Sequence, residues 1–347
     1  MESKTTPPSP SGILQVCTGF WASKVLMTAS KFNLFTNLEI KPNQSAKEIK
    51  ALLELECTDR NVYDFLDCLT ALGFLKRDGL LDTANYSNTL DTAVFLDKAK
   101  PSYIGGLLEM QNNQGWEVWA KLDKGLKTGL IQHEVKEGDD SVFDLFYSDP
   151  EQFKNFVDGM TGVQMGNFMA LAHKFDFSKY KTMLDVGGSA GMLSALIAKA
   201  NSHIQCTSFD LPKLESIANQ TIQKFQLEKQ VTAMNGDFFK DKLPKSDIVT
   251  MGNILHDWDE DTKIKLMQIA YDTLPSGGAF IAIENIIDSE RKQNAFGLML
   301  SLNMLIETGD GFDYTFDDFN KWAKKVGFSS TELLPLAGPG SAAIAYK

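Results

Sequence analysis

Apolar residues recur at helical spacing in three successive stretches near the start of the chain. The stretches cover residues 13–35, 45–55 and 58–73, and each has the i, i+3, i+4 pattern of an amphipathic helix. Ser45, with Glu48 three residues later, forms a capping box that marks the start of the second helix. The pattern therefore predicts three helices joined by short connections.

A hairpin is predicted directly after these helices. Asp78 and Gly79 form a turn pair between two strand-like runs within residues 74–87. Three helices followed by a hairpin are typical of a winged-helix module, which we expect at residues 13–101. Residues 1–12 are polar and rich in proline and serine, and we expect them to form a disordered tail.

The pattern changes in the rest of the chain. Residues 102–176 are mostly helical in periodicity and rich in Met and aromatic residues, with a polar break at 133–141. From residue 180 onward, short β-rich runs alternate with helical stretches, as in a doubly wound α/β domain with a parallel sheet. We therefore predict a helical connector that lines a pocket at 102–176 and a Rossmann-like catalytic domain at 177–347.

Charge narrows the class of partner. The 347 residues include 34 Lys and Arg against 45 Asp and Glu, a net charge of −11, and such a surface repels phosphate backbones. The third helix also sets Arg60 against Asp64 and Asp67, so it lacks the basic excess of a DNA-reading helix. We expect no nucleic-acid partner and a module that mediates dimerisation and covers a pocket. A winged-helix regulator that senses a ligand is the alternative, and a gel-shift assay would reveal it.

Neither a targeting segment nor a metal site is expected. The start of the chain lacks the basic and apolar regions of a signal peptide, and no apolar run approaches the ~18 residues that span a bilayer. The four cysteines are scattered without CxxC spacing, so we expect neither a zinc site nor disulfides. A cytoplasmic protein without a metal or a membrane partner fits these observations.

A glycine-rich turn follows the first β-rich run of the α/β domain. Asp185 ends the strand in LDVGGSAG, and Gly187, Gly188 and Gly191 let the backbone approach a ligand without a Cβ clash. Such a turn alone is shared by nicotinamide enzymes and by structural turns. Asp185 ahead of the glycines would repel a diphosphate, however, and suits the cationic amino acid end of S-adenosylmethionine.

Acidic residues end the next two predicted strands. Asp210 is placed to accept hydrogen bonds from ribose hydroxyls, and Asp237 beside Phe238 suits an adenine amino group and ring. Carboxylates at successive strand ends lie on one edge of a parallel sheet. Together with Asp185, they favour S-adenosylmethionine as cofactor, with S-adenosylhomocysteine as its product.

An acid–base cluster is predicted at the same edge. His256 follows the fourth strand in ILHDWDED, and it alone of four histidines falls on the expected cofactor edge. Glu284 lies near the end of the next, otherwise apolar strand, where an unpaired carboxylate is costly to bury. Asp313 lies in a late loop. A carboxylate on one imidazole nitrogen fixes the tautomer and leaves the other nitrogen free to act as a base.

At this point the sequence resembles the class I S-adenosylmethionine-dependent O-methyltransferases of the hydroxyindole and caffeate type, together with bacterial polyketide-tailoring relatives. The likeness rests on LDVGGSAG, FDLP, GDFF and ILHDWDED, which occur in the family's order and at closely similar spacing. It spans essentially the whole chain, including the N-terminal module. It implies a homodimer and a role in secondary metabolism.

The resemblance also implies residue roles. His256 matches the general base, Glu284 matches the acidic residue of the following strand, and Asp257 would face the acceptor. The residues that match the family's cofactor contacts are Gly187, Asp210, Leu211, Asp237, Phe238 and Trp258, and Trp258 would cover the adenine. We add Asn253, at the end of the fourth strand, to this set.

The chain departs from the family pattern at three places. The late acidic residue, usually a Glu before Arg-Thr, falls on Asp313 in FDYT, and Asp is one methylene shorter. SAG replaces the usual GTG or GSG after the glycine pair. Gly252 stands where Lys is often found. The acceptor is therefore not transferable with the fold.

The acceptor pocket is predicted from apolar, polarisable residues of the middle helices and of segment 299–308. The candidates suit a flat aromatic or polyketide-like molecule; they are Trp116, Phe156, Met160, Met165, Phe168, Met169, Leu300 and Met304. Methyl transfer to a hydroxyl is the leading hypothesis. Transfer to N, S or C, and a cofactor-binding relative that has lost methyl transfer, are the alternatives.

Overall fold

The structure, a computed structural model, describes residues 8–100, 102–133 and 150–347. Contacts divide the chain into two units, Met1–Gly115 and Trp116–Lys347, so the segment expected as a connector contributes to both. Most of the expected N-terminal tail and of the polar break at 133–141 lies outside the described residues. No helix of the described ranges has the length and apolar character that a bilayer span requires.

The first unit is mainly helical. Its helices are α1 (Ser11–Lys31), α2 (Leu34–Ile40), α3 (Ala46–Leu52), α4 (Asp59–Ala71), α5 (Leu90–Phe95) and α6 (Gly105–Met110). Its strands are β1 (Gln44–Ser45), β2 (Leu75–Asp78) and β3 (Asn85–Asn88), in the antiparallel order β1-β3-β2. The sequence predicted one helix over 13–35, but Asn33 has a left-handed φ of 54° and separates α1 from α2.

Local signals at the other helices of this unit are confirmed. Ser45 and Glu48 form the capping box at the start of α3, and the Thr58 side chain caps α4. The hairpin pairs β2 with β3, although a 3-10 turn at Leu81–Thr83 makes its connection longer than a two-residue turn. Buried apolar side chains from α1 to α4 and from both hairpin strands, together with Leu96 after α5, form one core.

The second unit is an α/β domain. Its helices are α7 (Trp116–Trp119), α8 (Leu122–Thr128), α9 (Pro150–Lys174), α10 (Met192–Ala200), α11 (Glu215–Phe225), α12 (Glu260–Thr273), α13 (Ala295–Glu307) and α14 (Phe316–Val326). Its strands are β4 (Thr182–Val186), β5 (Gln205–Asp210), β6 (Val231–Asn235), β7 (Ile248–Gly252), β8 (Ala279–Glu284), β9 (Ser330–Pro335) and β10 (Ser341–Tyr346).

The seven strands form one sheet in the order β6-β5-β4-β7-β8-β10-β9. The first five of these pair in parallel, and β10 is antiparallel to both β8 and β9. The chain moves outward from β4 in one direction and then restarts at β7 on the other side. Open α/β sheets bind ligands at such a reversal, outside the carboxyl ends of the strands.

Apolar cores cover both faces of this sheet. The six residues of β8, AFIAIE, are all buried, as expected for a strand with helices on both sides. Ile281 and Ile283 belong to one core, whereas Phe280 and Ala282 belong to the other, because successive side chains alternate between the faces. The predicted doubly wound α/β fold, with a mainly helical N-terminal domain, is confirmed.

Candidate active site

The glycine turn lies at the carboxyl end of β4, beside the point where the strand order reverses. The Gly187 N–H donates to the Phe209 carbonyl at 2.9 Å, which ties the turn to β5. Gly191 begins α10 with a φ of 70°, a conformation that favours glycine. A Cβ on Gly188 would lie 2.3 Å from Ser208 Oγ. The conformation of the turn therefore requires glycine at Gly188 and favours it at Gly191.

Asp185 lies beneath this turn rather than on its outer surface. The carboxyl is buried, accepts a hydrogen bond from Thr250 Oγ1 at 2.8 Å and lies 3.5 Å from Ser194 Oγ. Its Oδ2 lies 3.1 Å from where a Cβ of Gly188 would be. Burial raises the pKa of Asp185 to about 7, against the lowering effect of Thr250. Any influence on a ligand therefore acts through the glycine turn.

Asp210 ends β5 with both carboxyl oxygens held by the backbone. Ser189 N–H donates to Oδ2 at 2.8 Å, and Leu211 N–H donates to Oδ1 at 2.7 Å. Burial raises the pKa of Asp210 to about 6, although these two bonds lower it. Because each carboxylate oxygen can accept a second hydrogen bond, the group is preorganised to hold a pair of hydroxyls.

An aromatic cluster stands beyond β6. The Phe238 and Phe239 ring centroids are 4.7 Å apart, and Phe239 meets Trp258 edge-on at 4.9 Å. Asp237 accepts from the Phe239 N–H at 2.9 Å and pairs with Lys240 at 2.9 Å, which lowers the pKa of Asp237. The fold thus brings together Asp237, Phe238 and Trp258, which sequence reasoning assigned to the adenine.

Buried polar atoms without a partner mark the same region. Among the described residues they include Asn253 Oδ1, Ser208 Oγ and Trp258 Nε1. Asn253 also has a left-handed φ of 51°, at the carboxyl end of β7. An orphaned buried polar atom costs free energy unless a ligand or water satisfies it. The set fits a nucleoside with several donors and acceptors, and S-adenosylmethionine is such a molecule.

His256 lies in a one-turn helix, Leu255–Asp257, directly after β7. The imidazole is only 4% exposed. Its Nδ1 lies 3.4 Å from Asp313 Oδ1 and 3.8 Å from Glu284 Oε2, whereas its Nε2 lies 3.5 Å from Asp257 Oδ1. The fold therefore assembles the predicted cluster, with Asp313 and Glu284 on one ring nitrogen and Asp257 on the other.

Glu284 also fixes the backbone of this turn. Its Oε1 accepts the N–H groups of Leu255 at 2.9 Å and His256 at 3.3 Å, while Oε2 has no hydrogen-bond partner. A carboxylate at the end of β8 thus orients the segment that carries the imidazole. This second contribution was not visible in the sequence, because it depends on the pairing of β7 with β8.

The cluster holds more negative than positive charge. Burial alone would lower the pKa of His256, but the charges of Glu284, Asp257 and Asp313 outweigh burial and raise it. Burial raises the pKa of Glu284 to about 7 and that of Asp257 to about 6, against the lowering effect of His256. Because the carboxylates lie within 4 Å of the imidazole nitrogens, the protonation of each group depends on the others.

A cation could in geometric terms occupy part of this cluster. One atom each of His256, Glu284 and Asp313 lies within 4.8 Å of the others. We assign no metal there, because Nδ1 already faces Asp313 and Glu284 Oε1 already accepts two backbone N–H groups. The expectation of chemistry without a metal stays a prediction.

Two further charged groups at the site were missed in the sequence. Lys263 of α12 is fully buried, and its Nζ donates to the Trp258 carbonyl. Glu307 ends α13; burial raises its pKa to about 7, against a hydrogen bond from Asn303. The signal for Lys263 was helical spacing, since it shares the buried face of α12 with Leu266.

The predicted acceptor residues lie on three helices of the second unit, α7, α9 and α13. Met304 is buried, and the neighbouring Asn303 accepts a hydrogen bond from Trp119 Nε1 at 2.7 Å. Phe168 lies 3.6 Å from where a Cβ of Gly252 would be, at the end of β7. Two candidates are placed differently: Phe156 packs near the glycine turn, beside Ala190, and Met169 is 50% exposed. The remaining four, all partly buried, are Trp116, Met160, Met165 and Leu300.

Two family models match the chain. One, described as an O-methyltransferase domain, matches residues 119–329, and the other, described as an O-methyltransferase dimerisation domain, matches residues 14–98. The two matches fall on the α/β unit and on the mainly helical unit, respectively.

Individual relatives resemble the chain over nearly its full length. TcmO of Streptomyces glaucescens, a tetracenomycin polyketide synthesis 8-O-methyl transferase, is 33% identical, covering 100% of this chain and 99% of the relative. OxyT of Streptomyces rimosus, an N,N-dimethyltransferase, is 29% identical over 93% of each protein. Human N-acetylserotonin methyltransferase, solved in complex with SAM, matches with a TM-score of 0.90 at 25% identity, covering 100% of this chain and 99% of that one.

Proposed function

The chain belongs to the S-adenosylmethionine-dependent O-methyltransferase family, and from that premise we propose that it methylates a hydroxyl of a small aromatic or polyketide-like acceptor with His256 as the general base. The observation that carries the proposal is the buried imidazole with carboxylates at both ring nitrogens. The oxygen acceptor and the polyketide class also agree with the name of TcmO.

Several residues would hold the cofactor. S-adenosylmethionine, when bound, supplies an electrophilic methyl group on a sulfonium. Asp210 would accept hydrogen bonds from ribose hydroxyls with its free lone pairs, while Phe238 and Trp258 would pack against the adenine. Asn253 Oδ1 would gain the partner it lacks. Gly187, Gly188, Gly191, Leu211 and Asp237 complete the proposed cofactor site, and Asp185 would support it from beneath the glycine turn.

His256 would take the proton from the acceptor. Its Nδ1 faces Asp313 and Glu284, so a proton is held on that nitrogen, and Nε2 is left to accept the hydroxyl proton. The O–H bond would break toward Nε2 as the oxygen forms its bond to the methyl carbon; the carbon–sulfur bond would break in the same step, with its electron pair going to sulfur and S-adenosylhomocysteine leaving. The carboxylates of Asp313 and Glu284 would stabilise the imidazolium that results. Asp257, beside Nε2, is placed to orient the hydroxyl.

Because the pKa of His256 is raised, the neutral imidazole that acts as the base would form on cofactor binding. Burial lowers the pKa of the imidazole, but the neighbouring carboxylates outweigh burial and raise it, which favours the protonated form before the cofactor binds. A cation held nearby lowers the pKa of a neighbouring group, so a site that receives a sulfonium converts His256 toward its neutral form. Base formation and cofactor binding are therefore coupled in this proposal.

Replacement of His256 tests the proposal. General-base help is worth about 10²–10⁴-fold, so His256→Ala should lose at least roughly tenfold in turnover of an unactivated hydroxyl, and less with an acidic phenol. His203→Ala is the control, because His203 contacts the Phe177 carbonyl outside the cluster. Unchanged turnover in His256→Ala, with S-adenosylhomocysteine still bound, would remove His256 as the base.

The same assay separates the alternative chemistries. Cofactor labelled on its methyl group, offered to a panel of phenols, amines, thiols and carbon nucleophiles, identifies the atom that is methylated. Transfer to nitrogen is the second candidate, because OxyT is named an N,N-dimethyltransferase. A panel in which no acceptor gains label would indicate a member that binds the cofactor without transferring the methyl group.

We also propose that the chain forms a homodimer through its N-terminal unit. The dimerisation-domain match covers α1 from Leu14 onward, and large apolar side chains of this helix are exposed: Ile13, Leu14, Val16, Phe20 and Trp21. A patch of this kind marks an interaction surface. The small-molecule acceptor and the absence of a nucleic-acid partner stay parts of the proposal, which a gel-shift assay would test.

A further inference from the structure

Lys263 is a buried cation that the proposed mechanism does not use. It lies on α12 with no exposed surface, whereas lysines are almost never fully buried unless paired. Its Nζ lies 3.4 Å from the Phe312 ring centroid and 6.0 Å from the Tyr314 centroid, and it donates to the Trp258 carbonyl. The ammonium thus touches the loop of Asp313 and the turn of His256.

Charged groups reach this ammonium from several elements. Burial lowers the pKa of Lys263 to about 8, while the carboxylates of Glu284, Asp313, Asp257 and Asp259 act in the opposite direction. The titratable groups that face His256 or Lys263 come from the 255–259 turn, β8, the end of α13 and the 309–315 loop: Asp257, Asp259, Glu284, Glu307, Asp313 and Tyr314. Among the residues that the structure describes, Lys263 is the only buried lysine.

We propose that Lys263 is a positioning residue: its ammonium holds the His256–Trp258 turn and offsets the carboxylates around His256, so that the imidazole can accept the acceptor's proton. The inference rests on the proposed role of His256. It assigns Lys263 no contact with either substrate. Its contribution would pass through the turn and through the electric field of a buried charge.

The sign of the effect follows from electrostatics. Removing a cation from a coupled cluster makes every protonation step easier, so the pKa values of the cluster rise, whichever group holds the proton. In Lys263→Met the acidic limb of the kcat profile, measured at saturating S-adenosylmethionine, should move to higher pH by at least about one unit. Turnover at neutral pH should fall about tenfold and recover as the pH is raised.

The matched control is Lys265→Met. Lys265 lies on the same helix and undergoes the same chemical change, but it is exposed, so its pH profile should match that of the wild type. Methionine fills the site of Lys263 with an apolar chain next to the Phe312 ring, and calorimetric binding of S-adenosylhomocysteine verifies that the fold is intact. Lys263→Arg keeps the charge and should restore the limb toward its original position.

A second readout does not depend on turnover. The imidazole signal of His256, assigned by its loss in His256→Gln, should titrate at higher pH in Lys263→Met than in the wild type. Unchanged titration, or a lower kcat at every pH without movement of the limb, would overturn the proposal and leave a structural role.

The two proposals fail in different ways. If the imidazole titration shifts but the rate profile shows no limb, and His256→Ala keeps its turnover, then the base assignment is wrong although the charge coupling is real. If His256→Ala is inactive and the titration does not move, the base stands and Lys263 is not its positioning residue.

Discussion

Replacing Glu284 by Gln removes one negative charge beside His256 while keeping the shape of the side chain. Glu284 Oε2 lies 3.8 Å from His256 Nδ1, and Oε1 accepts the N–H groups of Leu255 and His256. The amide oxygen of Gln can accept the same two hydrogen bonds. Asp313, 3.4 Å from Nδ1, still holds the tautomer. The turn should therefore persist, and the change should act through charge.

The magnitude follows from the distance. Two unit charges 3.8 Å apart interact by about 4 kcal/mol at an effective dielectric constant near 20. At about 1.4 kcal/mol for each pK unit, this corresponds to an upper limit of about 3 units. Because neighbouring carboxyls share the proton, we expect a decrease of about 1–2 units in the pKa that governs the cluster.

The assay is the pH dependence of kcat at saturating S-adenosylmethionine with an unactivated hydroxyl acceptor. Glu284→Gln should move the acidic limb to lower pH, because the imidazolium loses a stabilising charge and deprotonates more easily. Glu290→Gln, on the exposed surface, is the control. A limb that stays in place, or that moves to higher pH, would refute the electrostatic reasoning, since Lys263→Met is expected to move it in the opposite direction.

Four further outcomes test other parts of the molecule. Burial raises the pKa of Asp210 to about 6, and in the proposed site its ionised form accepts the ribose hydroxyls. Affinity for S-adenosylhomocysteine should therefore fall, by up to about tenfold per pH unit, below that value, and Asp210→Asn should bind weakly at all pH values in calorimetry. In Gly188→Ala the new Cβ would lie 2.3 Å from Ser208 Oγ, so the free energy of unfolding, measured by thermal unfolding, should fall by about 1–3 kcal/mol. The control Gly19→Ala, where a Cβ would have nothing within 4 Å, should not be destabilised. Equal effects in the two variants would contradict the packing argument. Binding of S-adenosylmethionine should release more protons than binding of S-adenosylhomocysteine, because only the former carries a sulfonium. Calorimetry in buffers of different ionisation enthalpy measures the number of protons released. Equal release would count against coupling between cofactor binding and the protonation of the His256 cluster. Val16→Asp, at a side chain that is 82% exposed, should convert a dimer into a monomer in light scattering, and a monomeric wild type would remove the dimer proposal.

The fold was largely readable from periodicity. The alternation of apolar strands with helices predicted the sheet because β8 is buried on both faces, and local capping chemistry at Ser45 marked its helix. The break at Asn33 was missed although the residue carries a local signal, because asparagine is one of the few residues that adopt the left-handed conformation at helix ends. The antiparallel pair β9–β10 was also missed, since strand direction depends on the connection and not on composition.

The site was readable where position along a strand decides function. Asp210 ends one strand and His256 follows another, and parallel strands carry such residues to one edge. The orientation of a carboxyl could not be predicted in this way: Asp185 points beneath the glycine turn, toward Thr250. The second role of Glu284, as acceptor for two backbone N–H groups, arises only when β8 lies beside β7. Such contacts between elements carry no local sequence signal.

The departure from the family pattern at Asp313 and Tyr314 lies close to the buried Lys263 in the structure. The resemblance leads one to expect an arginine after the late acidic residue, and this chain has Tyr314 after Asp313. A cation is nevertheless present, because the ammonium of Lys263 comes from α12 and lies 6.0 Å from the Tyr314 ring centroid. The carboxylates around the imidazole raise the pKa of His256, and a nearby cation acts in the opposite direction. If Lys263 offsets these charges as proposed, Lys263→Met and Asp313→Asn should each shift the titration of the His256 imidazole signal more than Asp313→Glu does.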